Sequence, residues 1–190
     1  MKRILTFTCV IALASAWTVA AQTPPQAPTP GKALAEALAR SAAGTFRNLV
    51  ESAEKVPEAD YSFQATKETR TFGAFVGHTI NSAYNNCARA KGEPNPNKED
   101  FEKVTAKAQL VAAAKAVQTY CDAVFAAQTD ASLSELIAMG QQQAPRGQLL
   151  IGVISHNMNE YGQMVILMRL KGLVPPTTER ASQMRRPGQE

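Results

Sequence analysis

Residues 155–176, SHNMNEYGQMVILMRLKGLVPP, hold a histidine and a glutamate four apart, His156 and Glu160. On a helix that spacing makes an imidazole and a carboxylate neighbours on one face. Only one other histidine exists in the chain, His78, within TFGAFVGHTINSAYNNCARAKG, residues 71–92. Two imidazoles and one carboxylate form a donor set for zinc, nickel, iron or manganese. Three protein ligands leave coordination positions open, as a catalytic metal requires, and a water bound at zinc is acidified toward a pKa of ~7. The same residues fit a plainer alternative: hydrogen-bonded helical histidines and an i,i+4 ion pair contributing roughly a few tenths of a kcal/mol. With both histidines better placed as ligands, a Ser-His-Asp arrangement is disfavoured, and no glycine-rich phosphate loop occurs.

Four helical periodicities must position these groups. Leu34, Leu38, Ala42, Phe46, Leu49 and Val50 predict a first helix over 32–54, ending before Pro57. Residues 57–70 read as a connection whose Tyr61 and Phe63 tuck against the bundle. A second helix is expected over 71–91, closed by Gly92, Pro94 and Pro96. The third is expected to be capped near Asn97, with Glu99 and Asp100 in its first turn, and to run to Gln128. Ser132–Met139 reads as a short helical piece, 140–144 as a polar turn, and 145–171 as the fourth long helix, with Pro145 in its first turn. The fold class expected is all-α, an up-and-down four-helix bundle over 32–176. His78 lies off the Phe72–Val76–Ile80–Ala83 stripe, and His156 and Glu160 flank the Leu150–Ile154–Tyr161–Met168 stripe. If the second and fourth helices are adjacent, the three meet in a semi-polar cleft.

The 190-residue chain is 45% hydrophobic and 6% aromatic, which suits one helical domain with its own core. Residues 1–21 read as a secretory signal peptide: Lys2 and Arg3, then an apolar run from Ile4 to Ala16, then small residues before Gln22. That run is shorter than the ~20 residues of a membrane span, and no later stretch is long and apolar enough. A periplasmic or secreted protein is expected, with a Pro-rich linker at 22–31 and a disordered tail at 177–190. Loss of residues 1–21 lowers the formal charge from +4 to about +2, since two cations and no anions leave. The remaining cations are scattered, and only Arg185-Arg186 stand together, which argues against a nucleic-acid partner. Of three cysteines, Cys9 leaves with the signal. Cys87 and Cys121 remain, either as a disulfide suited to an oxidising compartment or as two buried free thiols.

HNMNEYGQMVILMRLKGLVPP, 156–176, resembles the last-helix signature of the DinB/YfiT-like superfamily, in which a histidine precedes a second histidine by four residues, then Tyr-Gly, an apolar run and a closing "LRxKGxVPP". TFGAFVGHTINSAYNNCARAKGEPNP, 71–96, resembles its second helix, where a histidine is followed by "GExNP", and VPEADYSFQATKETRTF, 56–72, resembles the lead-in to that helix. The resemblance implies a four-helix bundle, frequent homodimerisation through helix faces, and in many members a divalent metal held by three histidines. His78 and His156 match two of them; Glu160 stands where the third is usual. Asn157 and Tyr161 are pocket-lining candidates, with Tyr161 better read as a core side chain whose hydroxyl reaches the rim. The family includes thiol-dependent transferases and hydrolases. Their low-molecular-weight thiols are cytosolic, so an exported member points toward metal-assisted hydrolysis or another small-molecule transformation. The alternative is a non-catalytic bundle that binds a ligand or partner and has lost the metal.

Overall fold

The structure, a computed structural model, describes residues 29–185. The expected signal peptide, 1–21, and most of the expected linker, 22–31, lie outside the described residues. Four long helices carry the architecture: α1 (Ala33–Lys55), α2 (Phe72–Lys91), α3 (Lys107–Ala126) and α5 (Arg146–Leu170). A single turn, α4 (Asp130–Leu133), and a hairpin of β1 (Leu136–Met139) and β2 (Gln142–Pro145) join α3 to α5, and α6 (Pro176–Met184) follows α5. The all-α bundle expected from periodicity is present. Its helices pack in the ring order α1, α3, α2, α5, so that α1 and α2 face each other diagonally. The α2–α5 contact that the site requires is among the most extensive.

Large apolar residues and alanines fill the interior. Phe46 and Leu49 of α1, Phe72, Val76 and Ile80 of α2, Leu110 and Val117 of α3, and Leu150, Met164 and Met168 of α5 are all fully buried. Burial of each large side chain contributes roughly 1.5–3 kcal/mol. Cys87 and Cys121 are bonded, with their Cα atoms 5.6 Å apart, and tie α2 to α3 within this core. The helix ends follow their local chemistry. Thr71 accepts from Ala74 N at the start of α2, and Gly92 closes it at φ 81°. Lys32 offers α1 no side-chain cap. Asp130, 95 residues away, supplies one by accepting from Ala35 N at 2.9 Å.

The connection after α1 behaves as expected. Tyr61 is buried edge-on against Phe72 and donates its hydroxyl to Ala53 O, while Phe63 is half-buried against the core. Four expectations change. The third long helix does not begin near Asn97; α3 starts at Lys107, and residues 101–103 form a separate 3₁₀ turn. Asn95, Asn97 and Asp100 each accept a backbone N–H two residues on, and these local bonds compete with the helical ladder. Ser132–Met139 is not one helical piece. Helix α4 ends at Leu133, and Leu136–Met139 pairs antiparallel with Gln142–Pro145 across a two-residue turn. Gly140 supplies the positive φ of 68° that this turn requires. Pro145 lies just outside α5, at its N-cap. The tail expected to lack structure from Thr177 is helical through Met184, and Lys55–Glu179 and Arg180–Glu51 ion pairs hold it to α1.

Candidate metal centre

His78 and His156 meet where α2 crosses α5. Their Nε2 atoms are 3.3 Å apart, and the ring centroids are 5.2 Å apart. Glu160, one turn along α5, places Oε1 3.7 Å from His156 Nε2. The three ligand atoms all lie within 4.8 Å of one another. Two nitrogens bound at ~2.0–2.1 Å to one tetrahedral ion are separated by about 3.4 Å, so the imidazole spacing fits a shared cation.

The burial of α5 is rotated from the expected stripe. Val153, Asn157, Glu160 and Met164 face inward, while Ile154 and Tyr161 are only half-buried. Glu160 is therefore a core residue, 6% exposed, and not a flanking one. Its Oε2 is buried with no hydrogen-bond partner among the described residues. Its Oε1 receives one long bond from Asn159 Nδ2, at 3.3 Å. A carboxylate with so few donors is costly to bury unless a cation compensates it. Asn157 is also buried, but it donates to Thr45 Oγ1 rather than facing the trio. Tyr161 does not reach the core; its hydroxyl bonds Thr177 at the start of α6.

Each histidine is prepared differently. His78 Nδ1 lies 2.9 Å from Glu102 Oε2, which assigns its proton to Nδ1 and leaves the Nε2 lone pair facing His156. Arg70 Nε donates to the other oxygen of Glu102 at 2.7 Å. Burial alone would raise the Glu102 carboxyl, but hydrogen bonds from Arg70 and His78 bring it below the usual glutamate value. Burial pushes the His156 imidazole below its ordinary value; Glu160 opposes that shift, and His78 and Arg70 add to it. A neutral His156 has a lone pair to share. Its Nδ1 is buried without a partner among the described residues.

Sequence reasoning named His78, His156 and Glu160, and the fold brings all three together. It missed Glu102 and Arg70. Glu102 reaches His78 because α2 is shaped to receive its loop. Gly77 has no side chain, and a Cβ there would collide with the Phe101 carbonyl. One turn on, Asn81 donates to Asp100 Oδ1 at 2.8 Å and accepts from Phe101 N at 3.2 Å. The glycine immediately before a helical histidine was the available signal of a close backbone approach.

Comparison with known proteins agrees with this architecture. The DinB superfamily model matches residues 41–164. The Bacillus subtilis (strain 168) protein YrdA is 30% identical over 115 residues, covering 60% of this chain and 68% of YrdA. A solved DinB-like protein from Bacillus cereus ATCC 10987 superposes with a TM-score of 0.64 at 19% identity, covering 74% of this chain and 95% of that one. The DinB-like protein YjoA of Bacillus subtilis superposes at 0.61 with 18% identity, covering 73% and 94% respectively. At such identities the two structures speak for the fold alone. With its family model matched over most of the bundle, the chain belongs to the DinB superfamily.

Proposed function

We propose that His78, His156 and Glu160 hold one divalent cation, and that the chain uses it to hydrolyse or transfer a group on a small molecule. The observation that carries this reading is the 3.3 Å separation of two Nε2 atoms beside a buried, under-bonded carboxylate. A bound cation would supply Lewis acidity and lower the pKa of a water or thiol beside it. The chain's own residues do the rest. Glu102 holds the His78 ring and its proton so that Nε2 faces the centre. Burial keeps His156 neutral, and Glu160 supplies negative charge that neutralises part of the ion. Glu160 and Glu102 line one wall of a cleft of about 520 Å³, room for a small molecule.

Export to the periplasm or beyond is proposed with it. Residues 1–21 have the composition of a signal peptide, and the buried Cys87–Cys121 bond suits an oxidising compartment. No helix among the described residues is long and apolar enough to cross a membrane. Mass spectrometry of the chain from cell fractions is expected to find a mature form beginning at Gln22.

Elemental analysis of the full chain, purified without a polyhistidine tag and offered zinc, nickel, iron and manganese in turn, tests the metal. Equimolar retention of one of these is expected, with loss in His78→Ala, His156→Ala and Glu160→Ala. Full retention in either histidine variant contradicts the trio. No retention by the wild-type chain favours the non-catalytic bundle, which the glutamate in place of the family's third histidine would then explain.

A further inference from the structure

We propose that Arg70 is the docking group for a carboxylate or phosphate on the substrate, so that the small molecule handled here is an oxyanion; this rests on the metal reading above. Arg70 immediately precedes the α2 cap and lines the cleft together with Phe75, Glu102, Asn159, Glu160 and Gln163. Its Nε is committed to Glu102 Oε1 at 2.7 Å, and its guanidinium carbon lies 5.9 Å from the centre of the Phe75 ring. Those two contacts orient the planar fork. Its two terminal amino groups make no hydrogen bond among the described residues, and the side chain is 40% exposed. A guanidinium held by one edge and free at the other matches an oxyanion in two parallel hydrogen bonds.

The position of the fork links it to the metal ligands. One carboxylate, Glu102, bridges Arg70 and His78. An anion on the free edge of Arg70 is therefore one side chain removed from the centre. Charge admits the same occupant once a cation is bound. Glu68, Glu102 and Glu160 border the cleft against Arg70 alone. A divalent cation brings that local sum to zero and leaves the guanidinium available. Glu68 is largely exposed and lies beside Lys67, so water and that lysine screen it. The amides of Asn159 and Gln163 can bond the polar remainder of a small ligand.

Isothermal titration of the zinc-loaded full chain tests this with malonate, methyl phosphate and the neutral malonamide. At least one anion is expected to bind and malonamide not to; the tighter anion identifies the group. Arg70→Gln and Arg70→Lys are both expected to keep their zinc and to weaken that anion by about tenfold or more, since lysine retains the charge but not the fork. Unchanged affinity in both zinc-loaded variants, or no anion binding to the loaded wild type, overturns the docking role and leaves the metal reading intact. A wild-type chain that takes up no divalent cation overturns the metal reading and this proposal with it.

Discussion

The Glu102 carboxylate is the residue on which the chemistry of His78 turns. Removing its charge while keeping its shape leaves the Nδ1 proton a weaker acceptor and makes His78 a poorer donor to a cation. Glu102→Gln is expected to weaken metal affinity by about 10–100-fold, with the fold retained, as a competition titration against a chromogenic chelator would read. The His156 shift has a definite sign in pH. The ordinary value is 6.5 and the folded value lies below it. Well above pH 6.5 the group is neutral folded or unfolded; as the pH falls through 6.5 the unfolded chain takes up the proton first. The metal-free protein is thus expected to lose stability below that pH, and His156→Gln to flatten the loss; urea midpoints measured across pH 5–8 would show it. The three candidate ligands were legible because histidine is scarce in this chain and because four residues is one helical turn. Glu102 was not. It lies 24 residues from His78, in a stretch whose asparagines and carboxylates also make a plausible helix start.

At the scale of elements, α2 is a helix with a backbone docking groove. The 3₁₀ turn at Phe101–Lys103 lies against Gly77, and Asn81 holds it from one turn away. Gly77→Ala must push that turn off the helix. The expected cost is about 2–3 kcal/mol, and the variant is expected to lose metal affinity because Glu102 moves with the turn. Gly44 is the control: it is exposed within α1, and a Cβ there meets nothing within 4 Å. Gly44→Ala is expected to stabilise by about 0.5–1 kcal/mol with metal binding unchanged. Chemical denaturation of both variants, each with a zinc titration, checks the pair. Sequence pattern found the long helices because each repeats its apolar face over many turns. Leu136–Met139 is four residues long, too short for period 2 to be told from period 3.6. The rotation of α5 escaped for a related reason: Asn157 and Glu160 are polar, so no hydropathy stripe places them inward.

For the whole molecule, the Cys87–Cys121 bond closes a loop spanning 34 residues between neighbouring helices of the ring. In the chain-entropy account this contributes about 3–4 kcal/mol. That is a large part of the roughly 5–15 kcal/mol of an ordinary domain. Replacing both cysteines by alanine is expected to lower the unfolding free energy by about that amount, and reductant to lower the melting temperature of the wild type but not of the double variant. The bond was only half legible, because spacing cannot place two Cα atoms 5.6 Å apart. The terminal helix α6 was hidden for another reason: its sequence is polar, and its hold on α1 comes from charges more than a hundred residues away. The bundle, in contrast, follows from four amphipathic segments and one ring order, and that order sets α2 against α5. The most direct test of the account is an anomalous-difference map from crystals of the tag-free chain grown with the ion it retains. The expected result is a single peak about 2.0–2.2 Å from Nε2 of His78, Nε2 of His156 and an oxygen of Glu160. A map with no peak between those side chains, or with its peak on other residues, contradicts it.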